Sequence, residues 1–351
     1  MNVMEQTIRT GLAGFGVSGQ VFNAPFIQAD PRFTLKKCYE RSTDRCRAEY
    51  AGVETVRDFD ALLKPDIDLV VIALPNALHV PLAQRALEAG KHVLLEKPVA
   101  ASSAEAQTLC RLAREKGVVF TANQNRRLDG DFLTVKSLLE RGTLGRVTDY
   151  RCSYNRFVKG VSKKPWKAAG GLGVDILYDL GIHIIDQAYV LFGLPERLYA
   201  HQRVLRPESP GCDAFEITLY YPHDLSVVLS ATETAAIPGP HYTVHGENGS
   251  FVKYGMDPQE EALRAGKRPP AEHWGEDGPA SYGTLCLYEN GELRESRVPT
   301  VRGDYGGLYA QLYRAITEGA EPLVKPEETV DVLRILEAAQ ESARSGREVS
   351  L

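Results

Sequence analysis

The sequence predicts a two-domain chain. An α/β domain built on a parallel sheet is expected over residues 1–125, and an α+β domain with a mostly antiparallel, open β-sheet and helices over 126–351. The length of 351 residues favours two domains, because a domain typically holds about 100–200 residues. The first part of the chain alternates short apolar runs with helical patterns, whereas the second part carries strands in which apolar and polar residues alternate. The first rhythm is typical of parallel sheets and the second of antiparallel ones.

The N-terminal domain is predicted to hold five parallel strands joined by helices. The strands are expected over residues 8–13, 33–39, 69–74, 93–95 and 118–121. The run over 69–74 contains no polar residue, which is typical of a strand covered on both faces. Helices are expected over 80–89 and 103–116. Each is followed by a glycine, which ends helices well because it adopts the left-handed conformation without strain. Units of this length imply right-handed crossovers and a parallel sheet.

The C-terminal domain is predicted to combine strands with a few helices. The expected segments are a helix over 132–141, strands over 147–155, 216–221, 226–232 and 285–297, and closing helices over 305–318 and 326–345. Because apolar and polar residues alternate in the strands, one face of the sheet is expected to stay open. Such a face needs a cover, which predicts that the chain self-associates. Proline and glycine cluster over 255–283, which we interpret as a surface excursion with a short helix over 257–265.

The composition argues against several classes of protein. The net charge of −5 disfavours a nucleic-acid partner, because non-specific binding needs a cationic surface. No apolar run approaches the roughly 18 residues of a membrane helix, and the N-terminal residues show no secretory pattern. No membrane partner and a cytoplasmic location are therefore expected. The six cysteines are scattered without a CxxC pair, which argues against a disulfide framework or a zinc site.

A glycine-rich turn follows the first predicted strand and opens a helical pattern. Its residues are Gly14, Phe15, Gly16, Val17, Ser18 and Gly19. In this context the GxGxxG spacing is a dinucleotide-binding signal. The first glycine permits the tight turn, the second lets the backbone approach a pyrophosphate, and the third lets helix and strand pack closely. The helix N-terminus then presents amides to the phosphates. We predict a Rossmann domain whose six turn residues contact the cofactor; the alternative is a glycine-rich turn with no ligand.

The end of the second strand should select the adenosine ribose, and the chain has Glu40, Arg41 and Ser42 there. An acidic side chain accepts a hydrogen bond from the ribose 2′-hydroxyl and favours NAD. Arg41 and Ser42 instead suit the 2′-phosphate of NADP, with Arg41 stacking on the adenine. Glu40 would repel that phosphate unless it turned to solvent. All three residues are predicted cofactor contacts, and NAD and NADP both stay open at this position.

Two further segments lie at the carboxyl ends of predicted parallel strands, where ligands of such sheets bind. They are residues 74–79 and 89–98. Lys97 lies between a strand end and a proline, so a stiff turn would hold its ammonium against a substrate oxygen; the alternative is a solvated surface lysine. The predicted cofactor contacts of the two segments are Leu74, Pro75, Asn76, His79, Glu96 and Lys97.

The segment 179–186 carries a histidine between two carboxylates. In an α-helix, Asp179, His183 and Asp186 share a face. A histidine with a carboxylate one turn away suits proton transfer, because its pKa lies near working pH and the carboxylate fixes its tautomer. The alternatives are a buried structural histidine and a metal site. We predict no metal, since no second histidine or cysteine lies at ligand spacing.

Together these motifs resemble the Gfo/Idh/MocA oxidoreductases. The resemblance rests on the GxGxxG turn, the triplet Glu96-Lys97-Pro98 and the segment 179–186, and it extends to residues 316–319. It implies a Rossmann domain followed by a mostly antiparallel sheet domain, NAD(P)-dependent dehydrogenation of CH–OH groups, and dimers or tetramers. It also implies that Lys97, Asp179 and His183 are the catalytic group, at the face between nicotinamide and substrate.

A narrower resemblance is to NADP-dependent scyllo-inositol 2-dehydrogenases. It rests on residues 125–127, 153–156, 178–187 and 251–260, whereas Glu40 departs from the small polar residue expected there. It implies a cyclic polyol or sugar substrate, best matched by scyllo-inositol and scyllo-inosose. The alternatives are a dehydrogenase of another sugar and a non-catalytic dinucleotide-binding regulator. The further contacts predicted are Asn125 for the cofactor, and Lys97, Tyr154, Asn155, Trp166, Asp179 and His183 for the substrate, with sheet packing as the alternative for Tyr154 and Trp166.

The resemblance also implies roles for the catalytic group. His183 would take the hydroxyl proton as the hydride leaves, Asp179 would orient it or relay its proton, and Lys97 would hydrogen-bond the reacting oxygen. We further expect four cations to concentrate positive charge around the anionic cofactor, although the average charge is acidic. These are Arg41, Lys97, Arg126 and Arg127.

Overall fold

The computed structural model describes residues 7–160 and 175–351, and its contacts divide that chain into two compact units. The first unit comprises the described part of Met1–Asn125 together with Gln259–Trp274 and Asp304–Val330. The second comprises the described part of Arg126–Pro258 together with Gly275–Gly303 and Asp331–Leu351. The division of the sequence into domains at residue 125 stays a prediction. Within the described ranges, no helix is long and apolar enough to cross a bilayer.

The first unit is built on a six-stranded parallel sheet. Its strands are β1 Ile8–Ala13, β2 Phe33–Tyr39, β3 Glu54–Val56, β4 Leu69–Ile72, β5 His92–Glu96 and β6 Phe120–Asn123. They lie in the order β3-β2-β1-β4-β5-β6, and each pair is parallel. The residues of β4 are all buried, as expected for a strand covered on both faces. Strand order reverses between β1 and β4, so the carboxyl ends of these two strands mark the point where ligands of such sheets bind.

Helices connect these strands. They are α1 Ala24–Ala29, α2 Arg45–Glu49, α3 His79–Glu88 and α4 Ser103–Lys116. The hydroxyl of Ser102 accepts a hydrogen bond from the amide of Glu105 in a reciprocal capping box at the start of α4, and the helix ends at Gly117 with a φ of 65°. The helices predicted over 80–89 and 103–116 are confirmed. The regular helix expected after the glycine-rich turn is wrong, because residues Ser18–Asn23 form a π-helical turn before the short α1.

The second unit is built on a nine-stranded sheet. Its strands are β7 Val147–Asn155, β8 Arg197–Arg203, β9 Ala214–Tyr220, β10 Ser226–Thr232, β11 Tyr242–Gly246, β12 Gly249–Lys253, β13 Gly283–Glu289, β14 Glu292–Val298 and β15 Val349–Ser350. They lie in the order β14-β13-β12-β11-β7-β10-β9-β8-β15. The pairing of β7 with β10 is parallel and the other pairings are antiparallel. The predicted mostly antiparallel sheet is therefore confirmed.

Five further α-helices lie in the described part of the chain. They are α5 Gly130–Glu140, α6 Ile182–Phe192, α7 Gln259–Arg264, α8 Gly306–Glu318 and α9 Pro326–Ser345. The predicted closing helices match α8 and α9, and the predicted short helix matches α7. A π-helical turn, Leu177–Gly181, leads into α6. The segment that was predicted as one helix through Asp179 therefore becomes regular only at Ile182.

The single strand predicted over 285–297 is wrong, because the structure divides that segment into the hairpin of β13 and β14. The two strands are joined at Asn290 and Gly291, whose φ angles are 53° and 87°. An Asn-Gly pair with positive φ at both residues matches the twist of a two-residue hairpin. The sequence therefore contained the signal for this break.

Part of the segment interpreted as a surface excursion is buried in the first unit, so that interpretation is wrong. Gln259 and Trp274 are both buried. The side-chain oxygen of Gln259 accepts hydrogen bonds from the Trp274 indole at 3.2 Å and from the amide of Tyr305 at 2.8 Å. The Trp274 ring also meets the Phe26 ring edge-on, with centroids 6.2 Å apart. The segment joins α1 and α8 around one core of the first unit.

Candidate active site

The glycine-rich turn lies directly after β1, and its three glycines have different surroundings. Gly14 has a φ of 101°, and a Cβ built on it would lie 2.6 Å from the carbonyl oxygen of Ala73. A Cβ on Gly19 would lie 2.1 Å from the carbonyl oxygen of Gly14, whereas a Cβ on Gly16 would meet no described atom within 4 Å. Close backbone packing therefore requires the first and third glycines. The second leaves the open approach that a pyrophosphate needs, so the turn fits a dinucleotide.

The other residues of the turn differ in what they expose. The Phe15 side chain lies in the core, with its ring 6.2 Å from that of Tyr50, so only its backbone is available to a cofactor. Val17 is exposed and Ser18 is half-buried. The amide of Gln20 donates to the carbonyl of Gly16 at 2.9 Å, so the chain begins to coil within the turn. A cofactor here would meet mainly backbone amides.

The side chain of Glu40 turns into the protein. Its carboxylate accepts hydrogen bonds from the hydroxyl of Thr43 and, at 3.0 Å, from the amide of Cys46 in α2. Both carboxylate oxygens thus accept hydrogen bonds from residues close by in the chain. The sequence analysis expected this carboxylate to turn to solvent if NADP binds, whereas it turns into the protein. Arg41 and Ser42 are exposed. The carboxylate therefore holds the loop to α2, and the loop exposes the two residues that suit a 2′-phosphate.

His79, a predicted cofactor contact, is buried between two backbone carbonyls. Its Nδ1 lies 2.7 Å from the oxygen of Pro98 and its Nε2 lies 2.8 Å from the oxygen of Leu74. Burial lowers the pKa of this histidine, although the two carbonyls oppose that shift. The ring therefore joins the end of the β4 segment to the turn after β5, and any effect on a cofactor passes through those two segments.

Glu96 ends β5 and is buried beside two asparagines. Its Oε1 accepts hydrogen bonds from the side-chain amides of Asn23 and Asn123, both at 2.7 Å. Lys97 follows it and is half-buried, and the Lys97-Pro98 peptide bond is cis. The remaining predicted cofactor contacts of this unit also follow its strands: Pro75 is exposed, and Leu74, Asn76 and Asn125 are half-buried.

In the second unit, His183 lies in the first turn of α6. It is buried, as is Asp186, whereas Asp179 is half-buried in the π-helical turn that precedes the helix. The regular α-helical spacing therefore applies to His183 and Asp186 but does not extend back to Asp179. Asp186 accepts two hydrogen bonds from Arg127, Nη2 to Oδ1 at 2.7 Å and Nε to Oδ2 at 2.8 Å. Among the described residues, no cluster of histidine, cysteine, aspartate and glutamate is arranged to hold a metal ion.

Arg126 and Arg127 do not supply the positive charge that the sequence analysis expected. Arg127 makes the bidentate pair with Asp186, and both side chains are at most 6% exposed. Arg126 lies 3.2 Å from Asp129, whose side chain is fully buried. Each arginine is thus neutralised by a carboxylate of its own unit, so this part of the expectation is wrong.

The predicted substrate contacts Tyr154 and Asn155 lie at the end of β7 and, as neighbours in a strand, point to opposite faces of the sheet. Tyr154 is buried with its ring centroid 4.8 Å from that of His241, and the Arg126 guanidinium lies 5.3 Å from the same ring. Burial raises the pKa of Tyr154. These contacts favour the alternative of sheet packing for Tyr154, and Asn155 is half-buried. Trp166 lies outside the described residues.

A buried aspartate and a buried histidine lie close together in the second unit. The Nδ1 of His241 lies 2.9 Å from the carbonyl oxygen of Ser153, and its Nε2 lies 3.5 Å from Oδ2 of Asp131. Burial, with Asp257 nearby, raises the pKa of Asp131 to about 7, and burial lowers the pKa of His241 to about 4. When Nδ1 donates to the Ser153 carbonyl, Nε2 is an acceptor. A protonated Asp131 carboxyl is a donor and Nε2 of the neutral His241 imidazole is an acceptor, so the two groups have complementary hydrogen-bonding roles.

Several residues that organise these sites were not predicted. Arg57 donates to the backbone oxygen of Glu40 at 2.9 Å, and the phenol of Tyr309 donates to Asn23 at 2.9 Å. Asn123 could have been found, since it ends a parallel strand as Glu96 does. Arg57 and Tyr309 are far from their partners in sequence, and no local pattern marks them.

A doubly wound parallel sheet with a glycine-rich turn at its switch point defines a dinucleotide-binding domain. Two family models match the chain, one described as oxidoreductase family, NAD-binding Rossmann fold, over residues 8–124, and one as oxidoreductase family, C-terminal alpha/beta domain, over residues 136–351. The chain belongs to the Gfo/Idh/MocA family of oxidoreductases and is an NAD(P)-dependent dehydrogenase. The resemblance drawn from its motifs is confirmed.

Two of the similar proteins described here cover almost the whole chain, and a third covers more than half of it. The chain is 38% identical over 346 residues to the scyllo-inositol 2-dehydrogenase (NADP(+)) IolW of Bacillus subtilis. This match covers 98% of this chain and 96% of that protein. It is 34% identical over 207 residues to a dTDP-3,4-didehydro-2,6-dideoxy-alpha-D-glucose 3-reductase of Streptomyces violaceoruber, or 58% and 59% of the two chains. The solved structure of the oxidoreductase yvaA of Bacillus subtilis matches with a TM-score of 0.95 and 37% identity, over 99% of each chain.

Proposed function

We propose that this dehydrogenase transfers a hydride reversibly between NADP and a secondary hydroxyl of a cyclic polyol or sugar, with scyllo-inositol and scyllo-inosose as the preferred pair. The observation that carries the proposal is the near full-length similarity to a scyllo-inositol 2-dehydrogenase (NADP(+)), in a chain that also contains Lys97, Asp179 and His183. Bound at the glycine-rich turn, NADP would supply the acceptor for the hydride of the carbinol carbon. The protein's own residues must then handle the hydroxyl proton and the charge on the oxygen.

We assign these tasks to three side chains. His183 accepts the hydroxyl proton during oxidation and returns it during reduction, since a histidine titrates near working pH. Asp179 orients the imidazole or relays its proton. Lys97 donates a hydrogen bond to the reacting oxygen, which stabilises the negative charge that develops there. Asn155 and Trp166 remain proposed substrate contacts.

The preference for NADP is supported by the loop after β2. The carboxylate of Glu40 is engaged with Thr43 and Cys46, so it does not need to face a 2′-phosphate. Arg41 and Ser42 are exposed beside it, and a guanidinium makes strong charge-assisted bonds with phosphate. The hydrogen bonds of the Glu40 carboxylate to Thr43 and Cys46 therefore support NADP as the preferred cofactor.

The second candidate substrate is another sugar, because a relative named as a dTDP-sugar 3-reductase matches more than half of the chain. A steady-state comparison of NADP and NAD across inositols and common aldoses and keto-sugars separates the two. Highest kcat/KM with scyllo-inositol and NADP supports the proposal. Highest kcat/KM with a non-inositol sugar replaces the substrate, and binding of dinucleotide without turnover of any compound favours a regulator.

The catalytic assignment is tested by His183→Ala. General acid–base catalysis contributes about 10²–10⁴-fold, so kcat should fall by about that factor while NADPH affinity stays unchanged. The matched control is His201→Ala, which removes an exposed histidine of β8 and should leave kcat unchanged. Full activity of His183→Ala would reject the assignment.

We also propose that the enzyme is a homodimer or homotetramer that covers the open face of the nine-stranded sheet. In β7 the buried residues Tyr150 and Cys152 alternate with the exposed Arg151 and the half-buried Asp149 and Ser153, so one face of the strand is only partly covered within the described residues of its own chain. Sedimentation at micromolar concentration tests this, and a monomer at all concentrations would contradict it.

A further inference from the structure

We propose that Glu96 and His79 are positioning residues, which hold the turn of Lys97 from both sides and couple it to the glycine-rich turn. The inference rests on the proposed catalytic role of Lys97. Both residues were predicted to contact the cofactor, yet in the structure their side chains make hydrogen bonds within the protein. Glu96 directly precedes Lys97, and His79 contacts the backbone of Pro98, which directly follows Lys97. Their proposed effect on catalysis therefore passes through Lys97.

The residue before Lys97 is fixed by a buried hydrogen-bond network. Oε1 of Glu96 accepts bonds from the side-chain amides of both Asn23 and Asn123, each at 2.7 Å. The same amide nitrogen of Asn23 lies 3.1 Å from the carbonyl oxygen of Ser18, which belongs to the glycine-rich turn. Glu96 is thus two hydrogen bonds away from the segment that approaches the pyrophosphate.

The network is closed by a residue from the later part of the chain. Oδ1 of Asn23 accepts a bond from the phenol of Tyr309 at 2.9 Å and lies 3.3 Å from the amide nitrogen of Asn123. Asn23, Asn123 and Tyr309 are almost fully buried. Because an unsatisfied buried polar group is costly, such a network favours one arrangement of all its members. The orientation of Glu96 is therefore fixed by β6, by the end of the π-helical turn and by α8.

The residue after Lys97 is fixed by His79. The imidazole is 1% exposed and lies between the carbonyl oxygens of Pro98 and Leu74, at 2.7 and 2.8 Å. It ties the turn after β5 to the end of the neighbouring β4 segment. The residues before and after Lys97 are thus each held by a buried side chain, Glu96 and His79. Both side chains make hydrogen bonds with segments at the carboxyl edge of the parallel sheet.

The main test is Glu96→Ala compared with Glu96→Gln. Alanine removes the acceptor and leaves two buried amides without it, so the turn should shift. A displacement of about 1 Å in a positioning element costs about 10²-fold in turnover, and we expect kcat to fall by that factor with the KM for NADP little changed. Glutamine keeps one oxygen, and both amide bonds are made to a single oxygen, so Glu96→Gln should recover most of the turnover. Equal loss in both variants would overturn the inference, because the charge would then matter and the position would not.

Two variants guard against a general loss of folding. Tyr309→Phe removes one hydroxyl of the network and should lower kcat less than Glu96→Ala, in the same direction. Lys91→Met is the matched control at the opposite end of β5, where the ammonium of Lys91 donates to the carbonyls of Lys64 and Ile67, both at 2.8 Å. It should lower stability while kcat per folded molecule is unchanged. If Lys91→Met lowers kcat as much as Glu96→Ala, the effect is structural and the inference is overturned.

A double-mutant cycle with Lys97→Met separates this inference from the proposed function. If Glu96 acts through Lys97, Glu96→Ala should have no further effect on turnover once Lys97 is replaced. The same applies to His79→Leu. Additive losses would overturn the inference and leave the role of Lys97 intact. Full activity of Lys97→Met alone would instead reject the catalytic assignment of Lys97, and the inference with it.

Discussion

Alanine substitutions in the glycine-rich turn should separate its role in folding from its role in cofactor binding. In Gly19→Ala the new methyl carbon would lie 2.1 Å from the carbonyl oxygen of Gly14. The obstacle is backbone, which has no rotamer to change, so relief needs a shift of about 1 Å in a close-packed region. Overpacking of this kind costs about 1–3 kcal/mol of unfolding free energy. We therefore expect Gly19→Ala to be clearly destabilised.

Gly16→Ala should have the opposite signature. The new methyl group would meet no described atom within 4 Å, and Gly16 does not require the left-handed conformation. Such a substitution leaves stability unchanged or raises it by about 0.4–1 kcal/mol, since the unfolded chain loses freedom. The methyl group would, however, fill the approach of the pyrophosphate. Losing a hydrogen bond to a charged group costs about 1.5–3 kcal/mol, which weakens NADPH binding by about 10–100-fold.

Urea unfolding and NADPH fluorescence titration measure the two effects on the same samples. Gly239→Ala is the matched control, because Gly239 has similarly open surroundings and lies in the second unit. It should change neither quantity substantially. The reasoning is refuted if Gly16→Ala binds NADPH as tightly as the unmodified chain, or if Gly19→Ala is equally stable.

Two further predictions concern charge. Arg41→Ala should weaken NADP binding by about 10–100-fold and leave NAD binding unchanged, since only NADP carries a 2′-phosphate; equal losses for both dinucleotides in a titration would contradict it. For His241→Asn, the free energy of unfolding should fall by about 1.4 kcal/mol for each unit that the pH rises between about pH 4 and 7. The reason is that native Asp131, whose pKa is raised to about 7, keeps a proton that unfolded aspartate has lost. In the unmodified chain, the pair of Asp131 and His241 should not change the free energy of unfolding with pH up to about pH 6.5. Native protonated Asp131 with neutral His241 holds one proton, and so does unfolded ionised aspartate with protonated histidine. If urea titrations give the same pH dependence of stability for both chains, the prediction is contradicted.

Elements with strong local signals were predictable at close to residue precision. The bounds of α4 follow from a capping box at one end and a left-handed glycine at the other, and both signals lie within the helix or beside it. The strands β1, β2 and β7 were likewise predicted at their observed bounds, since their apolar patterns reflect covered faces. The triplet 96–98 and the segment 179–186 are also local patterns, because each lies within a few residues; their catalytic roles stay a prediction.

Long-range packing set the limit of the prediction. The segment that contains Trp274 has the proline and glycine content of a loop, yet its buried contacts are made with Phe26 and with the amide of Tyr305 next to α8. No periodicity within the segment reveals partners so distant in sequence. The π-helical turn at Ser18–Asn23 escaped for a similar reason, because the side chain of Asn23 at its end is held by Glu96, 73 residues later.

The charged residues show why residue type alone does not identify a ligand contact. A buried charge requires a partner, and the partner decides whether the charge is available. Arg127 is neutralised by Asp186, 59 residues away, so no local pattern shows that its charge is already paired. The partners of Glu40 are only three and six residues away. The inward turn of Glu40 therefore rests on local contacts, and these contacts give the carboxylate a place other than beside a 2′-phosphate. In that loop, the side chain to test for cofactor selection is the exposed Arg41 and not the acid beside it.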